Sequence, residues 1–187
     1  MEKASLKPID FIKIAIRDYK KVGAITISSK HTIDMVLKAL KPEYKYIVEY
    51  GAGNGVMIKE ILKKLPGDGK VIGIELNRSL FRELKKIKDP RFMPLNGDVA
   101  ALVNDLEILG LPRVDAIISS IPLSFLKTDQ RKKLIVETAK AITKGGRFIV
   151  YQYSLLVVPI MKKAFKKVSY SLELRNIPPY FVMVGEK

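Results

Sequence analysis

The chain contains no cysteine and only one histidine, His31, among its 187 residues. The missing thiols exclude disulfides, thiolate catalysis and zinc–thiolate sites, and they suit a cytosolic setting. One imidazole cannot build a multi-histidine metal centre, so no metal is expected. No segment approaches the roughly 18 consecutive apolar residues of a membrane span, and the N-terminus lacks an uninterrupted apolar run of signal-peptide type. No repeat or low-complexity tract is present. A soluble or peripheral protein with one substantial core is expected from the length and the 48% hydrophobic content.

Acidic residues are scarce beside basic ones, 19 against 34, for a formal net charge of +15. The excess is unevenly spread. Residues 42–126 carry 12 basic and 11 acidic side chains, net +1, whereas residues 1–41 net +5 and residues 127–187 net +9. Such flanks attract polyanions, either nucleic acid or an anionic membrane surface. A lysine-rich surface with no partner is the bland alternative.

What the sequence does contain is a strand-to-helix turn, KYIVEYGAGNG over 45–55. Tyr46-Ile47-Val48 reads as a buried strand that ends at Glu49 and breaks into Gly51, Gly53 and Gly55, followed by a helix over 56–65. Glycines at alternate positions let backbone approach a ligand closely, and a helix opening offers N–H groups beside it. The dinucleotide fingerprint places its third glycine one residue later. Here the spacing is E-x-G-x-G-x-G, which resembles motif I of class I methyltransferases that use S-adenosylmethionine. Glu75 ends the next strand, in KVIGIEL, where a carboxylate can take both ribose hydroxyls. Asp98, in LNGD after the third strand, stands where that family binds the adenine amino group. Leu76, Val99 and Ser119, next to these strand ends, join them as candidate cofactor contacts. Each acid could instead be a plain helix cap.

The stretch 8–22, PIDFIKIAIRDYKKV, gathers Ile9, Phe11, Ile12, Ala15, Ile16, Tyr19 and Val22 in one arc of a helical wheel, with basic residues opposite. It suits either packing on the domain or the membrane interface, and the wheel alone favours packing. A helix capped by Ser28 or Ser29 runs to about Leu40, with His31 in its first turn in a solvated or capping role. Downstream, helices are predicted over 80–88, 103–109, 127–143 and 158–165, and strands over 91–95, 114–119, 147–153, 168–174 and 181–184. Alternating strands and helices argue a Rossmann-like, doubly wound parallel α/β sheet of seven strands with an antiparallel end. Residues 1–41 read as an N-terminal helical extension and 42–187 as one methyltransferase domain.

The fourth strand runs into SSIPLSFL, Ser119–Leu126, at the edge where ligands of open α/β sheets bind. Amine and RNA-adenine methyltransferases often place Asn or Asp, an apolar residue, Pro and an aromatic in this loop. Ser120 and Leu123 stand there instead, so both groups for holding a flipped base are missing.

Over almost its whole length the chain resembles the bacterial phospholipid N-methyltransferases, distant relatives of the ribosomal RNA adenine dimethyltransferases. KVGAITISS is similar to that family's V-G-A-x-x-P-S-S, VEYGAGNG to V-E-L-G-P-G-T-G, SSIPLSFL to S-G-L-P-L, YQYS to part of Q-F-T-Y, and NIPPYFV to N-L-P-P-x-x-V. It departs at Ile27, Ala52 and Asn54, and at Leu155-Leu156, where Tyr-Gly is expected. The resemblance implies successive methyl transfer from S-adenosylmethionine, leaving S-adenosylhomocysteine, to the amine of phosphatidylethanolamine toward phosphatidylcholine. It also shifts the amphipathic stretch toward membrane contact, and it implies a cytoplasmic enzyme peripherally bound to the inner face of the membrane, with a monomer favoured and nucleic acid a lesser partner. Ser120, Tyr151, Tyr153 and Tyr19 are the candidate catalytic or substrate-lining residues. Tyr180 is a further candidate for the lining and Arg175 for a lipid phosphate. No side chain is singled out as a general base. RNA, small-molecule and protein methylation are the rival activities, and a cofactor-binding module without turnover is the non-enzymatic one.

Overall fold

The computed structural model describes residues 30–103, 109–175 and 179–187. Its strands are β1 (Tyr46–Tyr50), β2 (Lys70–Glu75), β3 (Phe92–Asn96), β4 (Ala116–Ser119), β5 (Arg147–Gln152), β6 (Lys167–Glu173) and β7 (Tyr180–Glu186). They form one seven-stranded sheet in the order β3-β2-β1-β4-β5-β7-β6. The first five strands run parallel, and β7 lies antiparallel between β5 and β6. This is the Rossmann-like methyltransferase sheet expected from the sequence, with the order reversing beside β1, where open α/β sheets bind their ligands.

Helices α1 (Lys30–Ala39), α2 (Val56–Lys64) and α3 (Arg78–Leu84) cover one face, while α4 (Val99–Leu102), α5 (Thr128–Ala141) and α6 (Val158–Ala164) cover the other. Burial on both faces explains why 46–48, 116–118 and 148–151 read as unbroken apolar runs. Along β1, Ile47 packs under α1 and α2 while Val48 and Tyr50 face the opposite layer. In α1, Ile33, Val36 and Leu37 are buried against the sheet.

Several boundaries differ from the sequence expectation. The helix predicted from Leu80 begins at Arg78, because Asn77 Oδ1 accepts from the Ser79 and Leu80 N–H groups, and it ends at Leu84. Helix α4 starts at Val99, directly after its cap Asp98, and precedes the predicted 103–109 span, most of which lies outside the described residues. Strand β7 is longer than 181–184, since it pairs with β5 on one side and β6 on the other. The amphipathic stretch 8–22 with Tyr19, and the proposed caps Ser28 and Ser29, lie outside the described residues.

A buried carboxylate sets the start of the central strand. Asp115 Oδ2 accepts from the backbone N–H groups of Lys45 (2.8 Å) and Tyr46 (3.0 Å), and Oδ1 pairs with Arg113 Nε at 2.8 Å. Asp115→Ala strips both amides of their partner, and it is expected to cost about 2–4 kcal/mol in urea unfolding. An unchanged midpoint would show that the clamp is dispensable.

Candidate active site

The glycine loop follows β1 directly. Gly51, Gly53 and Gly55 all take positive φ, 74°, 57° and 79°. Packing requires two of them: a Cβ on Gly51 would lie 2.9 Å from Ile121 Cγ1, and one on Gly55 would lie 2.6 Å from Ile87 Cδ1. Gly53 differs, because the nearest atom to its added Cβ is 3.9 Å away. Gly53 therefore borders open space, where its backbone is free for close approach.

Glu75 ends β2 beside this loop. Its carboxylate accepts from Gly53 N–H and from Asn77 N–H, both at 2.8 Å, so it ties the loop to the start of α3. On the next strand Asn96 reaches back, its side-chain amide donating to the Glu75 carbonyl at 2.7 Å and the Leu76 carbonyl at 3.3 Å. Asp98 caps α4, accepting from Ala100 N–H at 2.9 Å. The plain cap weighed for this acid is therefore present, at a strand end neighbouring Glu75. Val99 and Ser119 are buried, with Val99 in the core, and the Ser119 hydroxyl turns back to the Ile121 carbonyl at 3.5 Å. Their side chains are thus occupied, leaving backbone for any ligand.

The sharpest convergence involves three parallel strand ends. Glu49 and Tyr151 share the face that carries Ile47 and Ile149, as strand alternation requires. Ser120 follows β4 between them, with its N–H on the Tyr50 carbonyl. Ser120 Oγ donates to Glu49 Oε1 at 2.7 Å and lies 2.6 Å from Tyr151 Oη. A hydroxyl has one proton, so while Ser120 donates to Glu49, Tyr151 donates to Ser120. The tyrosines continue outward: Tyr151 meets Tyr180 edge-on with centroids 6.1 Å apart, Tyr180 stacks on Tyr153 at 4.2 Å, and Tyr180 Oη donates to Tyr153 Oη at 2.8 Å.

Glu49 is 1% exposed, and its Oε2 is buried with no hydrogen-bond partner. Burial pushes its carboxyl up to about 8, against the opposing Ser120 hydrogen bond and with reinforcement from Glu75. A buried, half-satisfied carboxylate is costly unless something else is meant to meet it. The other orphaned buried acceptor among the described residues is Gln152 Oε1, at the end of β5.

Sequence reasoning thus placed Glu49, Ser120, Tyr151, Tyr153 and Tyr180 separately, and the fold brings them together. Arg175 is already paired with buried Glu173, through Nε at 2.8 Å and Nη2 at 2.7 Å. Asn77, Asn96 and Ile121 were missed. For Asn77 the signal was readable, an asparagine directly before a helix. Among the described residues no group of three or more His, Cys, Asp or Glu is placed to hold a metal, and no helix is long and apolar enough to cross a membrane.

The profile of the family described as "Methyltransferase domain" matches residues 47–146. An ornithine lipid N-methyltransferase of Singulisphaera acidiphila is 25% identical over 138 residues, 72% of each chain. A ribosomal RNA small subunit methyltransferase A of Mycoplasmopsis synoviae is 34% identical over 74 residues, 39% of this chain and 27% of the relative. Among solved structures, a 1,6-didemethyltoxoflavin-N1-methyltransferase of Burkholderia thailandensis, with that compound and S-adenosylhomocysteine bound, superposes with a TM-score of 0.75 at 15% identity. The alignment covers 100% of this chain and 93% of that one.

The raised Glu49 pKa has a thermodynamic consequence. Between the unperturbed value of 4.5 and about 8, the folded state holds a proton that the unfolded state has released. Stability conferred by this group is therefore full below the lower value and falls as pH rises through the window. Glu49→Gln is expected to flatten that slope in urea unfolding at pH 5, 6.5 and 8. Identical slopes in both proteins would contradict the assignment.

Proposed function

Since the chain belongs to the methyltransferase-domain family and takes S-adenosylmethionine as its methyl donor, we propose that it methylates the amine of a membrane lipid of the phosphatidylethanolamine kind. The single observation that carries the amine reading is the hydrogen-bonded chain Tyr151–Ser120–Glu49 at the ends of β5, β4 and β1. An ammonium has no lone pair to attack with, so an amine methyltransferase needs a route for the proton. The chain runs from a tyrosine cluster in which Tyr151 and Tyr180 are buried and Tyr153 is partly exposed to a fully buried carboxylate, with Ser120 donating to Glu49.

The residues fit the cofactor. Gly53 would leave room for it and Glu75, bonded to that glycine, would meet the ribose with Leu76 adjoining, while Asp98 and the Val99 backbone would hold the adenine. Glu49 Oε2, buried without a partner, suits a positively charged ligand. S-adenosylmethionine supplies a methyl group already activated on a sulfonium, so alignment provides much of the rate. Ser120 and Tyr151 orient the amine and relay its proton to Glu49, which accepts it only as the carboxylate, the form that the positive charge of a bound cofactor would favour against burial. Tyr180 stacks on Tyr153 beside them, and the partly exposed Tyr153 ring is the aromatic surface that favours a methylated ammonium group.

The lipid as carrier of that amine draws support from the similarity to an enzyme that bears an ornithine lipid in its name, and from the basic flanks. The place of action is then the inner face of the membrane, with the protein bound peripherally. Methylation of an RNA adenine is the second reading, favoured by the local similarity to a ribosomal RNA methyltransferase. Against it, Leu123 is fully buried, so the loop position expected to carry a base-stacking aromatic faces the core.

The discriminating experiment is transfer of labelled methyl from S-adenosylmethionine to phosphatidylethanolamine vesicles doped with anionic lipid, run beside ribosomal RNA. Label in the lipid is the expected outcome. Label in RNA alone would overturn the proposal.

A further inference from the structure

The exposed apolar side chains are not scattered. Six large ones are exposed among the described residues, and five of them belong to β6 or to loops that leave β4, β5 and β6 at one edge of the sheet. Phe125 is 56% exposed, Leu156 52% and Leu174 69%, with Leu172 and Tyr170 continuing along β6. The edge is shared because Gln152 and Leu172 both pair with Phe181 of β7, which puts the end of β6 level with the end of β5. It is also the edge at which Glu49, Ser120 and Tyr151 meet.

Each of the three tips is held outward by a polar clamp beneath it. Under Phe125, buried Arg131 donates to the Leu123 and Leu126 carbonyls at 3.0 and 2.8 Å, while Leu123 fills the core. Under Leu156, Gln152 Nε2 donates to the Ser154 carbonyl at 2.7 Å, and Leu156 N–H donates to Ser154 Oγ at 3.1 Å. Beside Leu174, buried Glu173 accepts from Arg175 N–H at 2.9 Å and from its guanidinium. Loops left to themselves turn apolar groups inward. Here the ordering that would oppose docking is already built in.

We propose that Phe125, Leu156 and Leu174 form a rim that inserts into an anionic lipid bilayer and seats the mouth of the site on the membrane. The inference rests on the lipid-amine reading and names the surface that reading needs. A bilayer is the occupant because the tips sit on three separate loops, a layout that a fluid apolar phase accepts without a matching groove. Charge agrees over distance: the molecule carries +15, almost all of it outside residues 42–126. Close to the rim Lys30, Lys127 and Arg175 stand with Asp34, Asp129 and Glu173, so the apolar tips supply the local contact. His31 and Asp34 interact electrostatically with Glu173 and Arg175, which places the start of α1 at this edge too.

The chain has no tryptophan, so one introduced indole reports alone. Phe125→Trp, Leu156→Trp and Leu174→Trp are each mixed with phosphatidylglycerol–phosphatidylethanolamine vesicles, with and without brominated acyl chains. The expected result is a blue shift at all three positions and quenching by bromine. The triple variant Phe125→Ser, Leu156→Ser, Leu174→Ser should bind vesicles more weakly by about tenfold per side chain, with S-adenosylhomocysteine affinity unchanged. Unshifted emission, or undiminished binding by the triple variant, would overturn the rim. Emission already blue without vesicles would also overturn it, since residues 1–29 or a second copy would then cover the tips. Insertion without labelled lipid would leave the rim standing and defeat the lipid-amine reading instead. Labelled lipid with unshifted tips would do the reverse.

Discussion

The burial of Glu49 at the end of the central strand is the constraint on which the site depends. A carboxylate removed from water is tolerated only if hydrogen bonds or a positive charge meet it. The fold supplies one hydrogen bond, from Ser120, and leaves the second oxygen buried without a partner. Glu49 thus stands two residues before Gly51 of the glycine loop in the chain and joins the tyrosine cluster through Ser120. The sheet order explains how. Strands β2, β1, β4 and β5 lie in adjacent register, so Glu75, Glu49, Ser120 and Tyr151 emerge along one edge although they are widely separated in the chain.

Much of this was legible beforehand for definite physical reasons. Unbroken apolar runs over 46–48 and 148–151 signalled buried strands, and the glycine spacing signalled a turn that L side chains with a Cβ do not readily adopt. All three glycines have positive φ, as that reading requires. The strand ends carrying Glu75 and Asp98 could be located because βαβ units repeat at a regular length. The antiparallel end followed from the short link before β7.

What could not be read was which side chains meet. Ser120 looked like a deficit, a position lacking the asparagine of base-modifying relatives, and its bond to Glu49 spans 71 positions. Tyr151 and Tyr153 alternate along one chain, yet they are linked through Tyr180 from β7, a contact set by antiparallel register. Likewise Arg175 seemed free to meet a phosphate until Glu173 was found to hold it. The apolar rim was invisible for the same reason: Phe125, Leu156 and Leu174 are ordinary loop residues until three strand ends align. Periodicity reports which face a residue takes, and only the fold reports its neighbour.

The most direct test of the central claim is the single-turnover rate of methyl transfer from saturating S-adenosylmethionine, measured from pH 6 to 9 for the wild-type protein, Tyr151→Phe and Ser120→Ala. Both substitutions interrupt the proton path and leave Glu49 Oε2 untouched. If the Tyr151–Ser120–Glu49 chain carries the amine proton, each variant should lose on the order of 10²–10⁴ in rate near neutral pH. Part of the loss should return as pH rises and the amine sheds its proton to water, while cofactor affinity stays unchanged. Rates within a few-fold of wild type across the range would contradict the account.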